Sequence, residues 1–225
     1  MFPEPRLPQP ETRDRILDEA ERLFVEYGFE GTSMRMITGA ANANLAAVNY
    51  HFGSKDALIQ AVFRRRLTAL NETRLAALDQ LEAEAGGGLI KPSRIVEAFF
   101  GTALELAADM AHGGNTFMRL LSRTYNEPNA FVRQFLAEEY AEVMDRFLGA
   151  LFRALPGVPR HEIMWRFHYM LGAMSFAIAG IESVYAMAGM SREAEDPSRL
   201  LPRLMSFLLG GLRAPLPDFG ASGHD

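Results

Sequence analysis

Apolar residues recur at intervals of three and four along most of this chain, and no alternating, strand-like run competes with them. Ile16, Leu17, Ala20, Leu23, Phe24 and Tyr27 come after Thr12 at helical spacing, with Gly28 where a helix stop belongs. Thr32 or Ser33 can cap a short second helix that buries Met36, Ile37 and Ala40. In Asn42-Ala43-Asn44 the first residue tolerates the left-handed backbone of a tight turn, and Asn44 can cap the next helix. That third, short helix is expected from Leu45 to Phe52, closed by Gly53. Ser54-Lys55-Asp56 then opens a long fourth helix carrying Leu58, Val62, Phe63, Leu67 and Leu70 on a 3.6 period. Short helix, tight turn, short helix is a helix-turn-helix arrangement.

Three consecutive glycines, Gly86-Gly87-Gly88, cannot sit stably inside a helix and mark an internal boundary with Pro92 just beyond. Further helical segments are expected at about 93–111, 115–126, 129–154, 160–188 and 197–212, separated by Gly113-Gly114, Pro128, Pro156-Gly157 and Pro197. The predicted fold class is therefore all-α: an N-terminal three-helix helix-turn-helix domain plus a C-terminal helical domain for ligand binding and dimerisation. The expected boundaries are a flexible start at 1–11, the helix-turn-helix domain at 12–56, the larger domain at 57–213 entered by a linking helix at 54–85, and a flexible end at 214–225.

Composition narrows the function. Among 225 residues, 48% are hydrophobic and 23% charged, ordinary values for a globular chain with a sizeable core. The absence of cysteine excludes disulfides, thiolate zinc sites and thiol nucleophiles, and a reducing cytoplasm fits best. Prolines and charges in the first residues argue against a secretory leader, and the apolar run between Arg166 and Glu182 is too short for a membrane span. The five histidines, at 51, 112, 161, 168 and 224, show no metal-ligand spacing, and neither a phosphate-cradling loop nor a nucleophile elbow is present. Neither an enzyme nor a cofactor is expected. Net charge is −5, so nucleic-acid binding would need a local patch. Between Gly31 and Arg74 such a patch stands out: Arg35, Lys55, Arg64, Arg65, Arg66 and Arg74 face only Asp56 and Glu72. The Arg64-Arg65-Arg66 run itself points several ways around its helix and reads as a solvated face.

A helix seated in a major groove needs small or polar groups at its groove face. Ala46, Ala47 and Asn49 supply them, while Val48 and Phe52 hold the other side. The Asn49 amide suits either adenine or a phosphate. Lys55 and the free amides at the start of the fourth helix form an anion site, and Thr32 and Ser33 offer the same at the second helix. Arg35 is placed to reach a base edge or a phosphate.

The stretch from Ile16 to Val62 resembles the TetR-family DNA-binding domain through Ala20, Leu23, Phe24, Gly28, Phe29, Thr32, Ser33, Ile37, Ala40, Ala41, Leu45, Val48, Tyr50, His51, Phe52, Ser54, Lys55, Leu58 and Val62. One departure is Asn42-Ala43, where the family has a glycine followed by an aliphatic residue. The run Ala47 to Phe63, with Phe117-Met118-Arg119-Leu120-Leu121 and Trp165-Arg166-Phe167-His168, is similar to the PsrA-type subgroup. This resemblance implies a repressor that grips operator DNA through Asn44 to Lys55, with Tyr50, beside His51, contacting phosphate, and responds to fatty acids or acyl-CoA. A different effector, aromatic or drug-like, would leave the DNA-binding role unchanged, and a helical ligand carrier is the other class.

Two apolar stripes run along 165–181: Trp165, Tyr169, Gly172, Phe176 and Ala179 on one, Phe167, Met170, Met174, Ile178 and Ile181 on the other. A helix apolar all round is buried on several sides, and with the leucines of 200–209 it suits a four-helix interface between two copies. A homodimer reading a pseudo-palindromic operator is the consequence. Adaptable or flat side chains of the middle helices are the expected ligand lining: Phe99, Phe117, Met118, Phe135, Phe147, Trp165 and Tyr169, with Arg119, Arg166 and His168 as polar groups for an acid or phosphate.

Overall fold

A computed structural model describes residues 12–125, 128–179, 182–190 and 199–218. They form α1 (Thr12–Gly31), α2 (Met34–Ala40), α3 (Leu45–Phe52), α4 (Lys55–Ala85), α5 (Pro92–Ala108), α6 (Gly114–Thr124), α7 (Ala130–Ala154), α8 (Arg160–Ala179), α9 (Glu182–Met187) and α10 (Leu200–Leu212), with no strand among the described residues. The all-α expectation holds. One boundary moves: the segment expected at 93–111 ends at Ala108. The expected 160–188 helix is helical on both sides of residues 180–181, which lie outside the described residues. The expected flexible ends at 1–11 and 219–225 also lie outside them, while 214–218 come after α10 without regular structure.

The chain divides into two compact units. One takes the chain up to Ala69 together with Asp109–Glu139, the other Leu70–Ala108 with the chain from Tyr140 onward. The expected break at 56/57 does not coincide with this division, because α6 packs on α1 and so belongs with the helix-turn-helix. Two hydrogen bonds tie this stretch of chain to α1: from α6, Arg123 Nη1 donates to the Val25 carbonyl at 2.9 Å, and just before α7, Asn129 Nδ2 donates to Glu30 Oε1 at 2.7 Å. Gly28, at φ +76°, bends the end of α1 between those two points. A Cβ there would sit in the left-handed region, and the atom it would meet, Arg123 Nη2 at 2.9 Å, is the movable end of a side chain, so it is the backbone that demands glycine.

The core of the first unit is the inner face of α1 (Ile16, Leu17, Ala20, Phe24) closed by Ile37, Val48, Leu58, Val62 and Phe63, all at most 1% exposed. A carboxylate is buried with them. Glu21 on α1 is 2% exposed and receives Arg65 Nη2 at 2.7 Å and Arg66 Nε at 3.3 Å, both from α4, while Asp18 receives Arg65 Nη1 at 2.7 Å. Burial works against the Arg65 charge, but its bonds to Glu21 and Asp18 more than offset this and hold the guanidinium above its ordinary value.

In the second unit α8 packs on α10 and α5. Phe99 is its centre, with ring centroids of Phe100, Phe147 and Phe167 at 4.9, 5.2 and 5.0 Å in edge-to-face geometry. Of the two stripes on α8, Phe167, Met170, Met174 and Ile178 are buried, whereas Trp165, Tyr169 and Phe176 are 54%, 64% and 80% exposed. Ile181 lies outside the described residues. On α10, Leu204, Leu208 and Leu212 are buried and Phe207 is exposed.

Because two guanidinium groups converge on one buried carboxylate, Glu21→Gln is expected to lower unfolding free energy by about 2–4 kcal/mol. Asp18→Asn removes a mostly exposed partner and is expected to cost under about 1 kcal/mol. Urea denaturation of both variants checks this, and equal small losses would show that the Glu21 pair does not hold α4 to α1.

Candidate nucleic-acid interface

Three side-chain caps build this surface. Ser33 Oγ accepts from Met36 N at 3.2 Å at the start of α2, Asn44 Oδ1 accepts from Ala47 N at 2.7 Å at the start of α3, and Ser54 Oγ accepts from Ala57 N at 3.0 Å at the start of α4. Between α2 and α3 the chain turns through Asn42, whose φ of 47° is the only positive value of a non-glycine residue among those described. Asparagine tolerates that region, so the departure from glycine leaves the turn intact. Ala41 is buried beneath it.

The eight residues of α3 divide by environment. Val48 is fully buried, Ala47 and Phe52 are half-buried, and Ala46, Asn49, Tyr50 and His51 are exposed, Tyr50 by 86%. Tyr50 and His51 stack edge-to-face with centroids 5.2 Å apart. At the same end Gly53, at φ +76°, caps α3, its N–H donating to Asn49 O. Asn44 is exposed, and its Oδ1 is committed to the cap. Ser33 and Arg35 are exposed. Lys55 is half-buried, its ammonium 4.3 Å from the Phe29 ring centroid, which orients the group without neutralising it.

Thr32 departs from its expected role as an anion-binding hydroxyl. It is 1% exposed, and its Oγ1 lies 2.7 Å from Gly28 O and 3.1 Å from Leu23 O, so the single hydroxyl proton serves carbonyls freed by the bend in α1. The positive patch is also smaller than the composition implied. Arg64 pairs with Glu139 at 2.9 Å, Arg65 and Arg66 hold Glu21, and Arg74 is buried, which leaves Arg35 and Lys55 of the six bases as open cations. Within the run, Arg65 and Arg66 form an internal clamp on Glu21, while Arg64 stays on an exposed face as expected.

The residues expected to line a ligand space fall into both units. Phe117, Met118 and Phe135 are buried in the first, with Phe63 centroids 6.1 Å from Phe117 and 6.2 Å from Phe135. Arg119 is exposed there. Phe99 and Phe147 are buried in the second. Trp165, His168 and Tyr169 are not cavity residues: they form an exposed ring cluster, Trp165 stacking on Tyr169 at 5.8 Å and meeting His168 at 6.0 Å. Arg166 is not an open cation either. It is 7% exposed, and its guanidinium donates to Glu162 Oε1 at 3.0 Å, Leu212 O at 2.6 Å and Pro215 O at 3.3 Å, fastening the end of α10 to α8. Helical periodicity placed these side chains on stripes but carried no sign of which stripe faced inward.

Two family models match the chain: one described as bacterial regulatory proteins, tetR family, over residues 16–62, and one described as tetracyclin repressor-like, C-terminal domain, over residues 97–211. Among curated proteins, the HTH-type transcriptional repressor AcnR of Corynebacterium efficiens is 36% identical over 62 residues, 28% of this chain and 33% of that protein. The chain thus spans about a third of the length of the first curated relatives it matches. Among solved structures, a probable transcriptional regulatory protein, RHA5900, superposes with a TM-score of 0.63 at 20% identity, covering 90% of this chain and 100% of the other. FadR from Bacillus subtilis in complex with stearoyl-CoA superposes with a TM-score of 0.57 at 13% identity, covering 88% and 98%. At such identities the likeness is one of fold.

The burial pattern separates structural from contact residues. Thr32→Val leaves the Gly28 and Leu23 carbonyls without their hydroxyl and is expected to lower stability by about 1–2 kcal/mol. Tyr50→Ala, at an exposed position, is expected to change it by less than about 0.5 kcal/mol. Thermal unfolding of the two variants decides the assignment, and the reverse ranking would overturn it.

Proposed function

The chain belongs to the TetR family of bacterial regulatory proteins, and on that premise we propose that it is a DNA-binding transcriptional repressor, a homodimer that leaves a pseudo-palindromic operator when an apolar small molecule binds. The observation that carries this reading is the division of α3: one side chain, Val48, anchors it, and Ala46, Asn49, Tyr50 and His51 are left to solvent at the groove face. Alanine methyls suit thymine methyls, and the Asn49 amide matches adenine or a phosphate. Ser33, Arg35, Asn44, Tyr50 and Lys55 surround them as phosphate contacts that set register, with the first-turn amides of α2 and α4 adding anion-binding groups. Thr32 supports this surface from beneath.

Dimerisation is supported by α8 and α10. Trp165, Tyr169 and Phe176 are large, apolar and exposed on α8, and Phe207 is exposed on α10. Exposed apolar surface on this scale marks an interface, and two packed helices presenting it can pair with their equivalents about a two-fold axis. Gly172, exposed in the same stripe, permits close approach. Two α3 helices related by that axis require half-sites about one helical turn, or a multiple, apart.

The effector is proposed to be a long-chain fatty acid or its acyl-CoA. Support comes from the clustered phenylalanines and methionines of the second unit, which offer mouldable apolar surface, and from the fold shared with an acyl-CoA-bound FadR. Release is then a matter of differential affinity: an effector favouring the DNA-incompetent state shifts the population toward it.

Duplexes selected from a random pool are expected to be palindromic, and affinity should fall steeply with salt, in proportion to the phosphates contacted. Asn49→Ala is expected to weaken the selected site by about 1–3 kcal/mol with melting unchanged. Gel-shift titration tests both, and an isolated half-site that binds as tightly as the palindrome would sink the dimeric reading.

The exposed stripe of α8 gives a separate test. Phe176→Asp places charge in the proposed contact and is expected to give monomers in sedimentation, with operator binding lost and helicity retained. Trp165 lies in the same stripe, so its emission should shift on dilution of the wild type. An unchanged dimer in the variant would exclude this face.

A further inference from the structure

Most guanidinium groups of the first unit are engaged inside it. Arg15 Nε donates to Ala41 O at 3.4 Å, Arg22 is shared between Glu19 at 2.9 Å and Glu26 at 3.0 Å, and Arg133 Nη1 donates to Pro128 O at 2.6 Å. Arg64, Arg65 and Arg66 hold carboxylates, and Arg123 bonds Val25 O. Arg13, in the first turn of α1, differs from all of these. Among the described residues its one ion pair is with the adjacent Asp14, whose Oδ1 lies 3.9 Å from Nη1 with both side chains about half exposed. A pair of that length in open solvent contributes little. What holds Arg13 is a ring: its guanidinium carbon lies 5.6 Å from the Phe52 ring centroid.

Phe52 is the last residue of α3, and its ring continues a row of aromatics at that end of the helix. His51 lies 6.0 Å from Phe52 and 5.2 Å from Tyr50, centroid to centroid. Arg13 therefore reaches the exposed end of α3 from a different helix, beside the side chains proposed to contact phosphate. Lys55 has the same arrangement, seated on Phe29 at 4.3 Å. A contact of this kind restrains a cation without neutralising it. The guanidinium keeps its N–H edge for other acceptors, and that planar edge matches two oxygens of one phosphate. Arg119, exposed on α6, has no ring seat among the described residues.

We propose that Arg13 takes a backbone phosphate of the operator outside the bases faced by α3, so that each half-site extends past the groove into the flanking duplex. This rests on the reading of α3 as the groove helix and adds to it a contact from α1. Phosphates are alike in every sequence, so the contact sets register and affinity while Ala46, Ala47 and Asn49 discriminate. A chain of net charge −5 has no bulk attraction for DNA, and a cation fixed beside the groove helix offsets that locally.

Full-length wild type, Arg13→Gln and Arg119→Gln, titrated at several salt concentrations with the palindromic duplex selected by the wild type and with an unrelated duplex, test this. Arg13→Gln is expected to weaken binding roughly tenfold to a hundredfold on both duplexes, leaving their ratio unchanged. It should also flatten the slope of log affinity against log salt by about 2, one phosphate for each subunit of the dimer. Arg119→Gln removes the same charge away from α3 and should keep the wild-type slope. Single methylphosphonates scanned through the operator then locate the contact: one flanking position in each half-site should weaken the wild type and leave Arg13→Gln indifferent. If Arg13→Gln keeps the wild-type slope and affinity on the palindrome, the operator reading stands and the Arg13 contact falls. Equal losses in the two variants would assign the effect to net charge and overturn the proposal. If the wild type binds no duplex even at low salt, the groove-helix reading and the Arg13 contact fall together.

Discussion

Val48 is the single fully buried side chain of α3, and the exposed face of that helix depends on that one insertion. An eight-residue helix has too few internal bonds to persist in water alone. It is held by a hydrophobic anchor at its middle, by Asn44 at one end and by Gly53 at the other. Any of these can be supplied without using the exposed face, which is why Ala46, Asn49, Tyr50 and His51 are left available for another molecule. Deepening the burial of α3 would strengthen the fold and remove the surface it presents.

Electrostatics obey the same economy. An acidic chain that binds DNA is expected to concentrate its bases, and the run from Gly31 to Arg74 carries a surplus of four positive charges. Four of those six bases are engaged or buried within the fold, three of them tying α4 to α1 and α7 through Glu21, Asp18 and Glu139. Two open cations do not amount to a basic surface. Phosphate attraction would therefore come from groups fixed in direction, namely helix N-terminal amides and a lysine held against Phe29, rather than from bulk charge.

Helical periodicity carried most of the fold, because capping residues and glycines mark ends in ways that depend on a few neighbouring positions. Ser33, Asn44 and Ser54 cap where their chemistry suggested, and Asn42 takes the left-handed turn. What the sequence left open depended on contacts distant along the chain. Thr32 turns inward because the bend at Gly28 frees two carbonyls, and Arg166 because α10 ends over α8. Two apolar stripes on α8 were visible, but a period does not say which stripe has a partner within the same chain. The packing of α6 on α1 depends on such distant contacts too: Arg123 on α6 bonds Val25 O, and Asn129, just before α7, bonds Glu30.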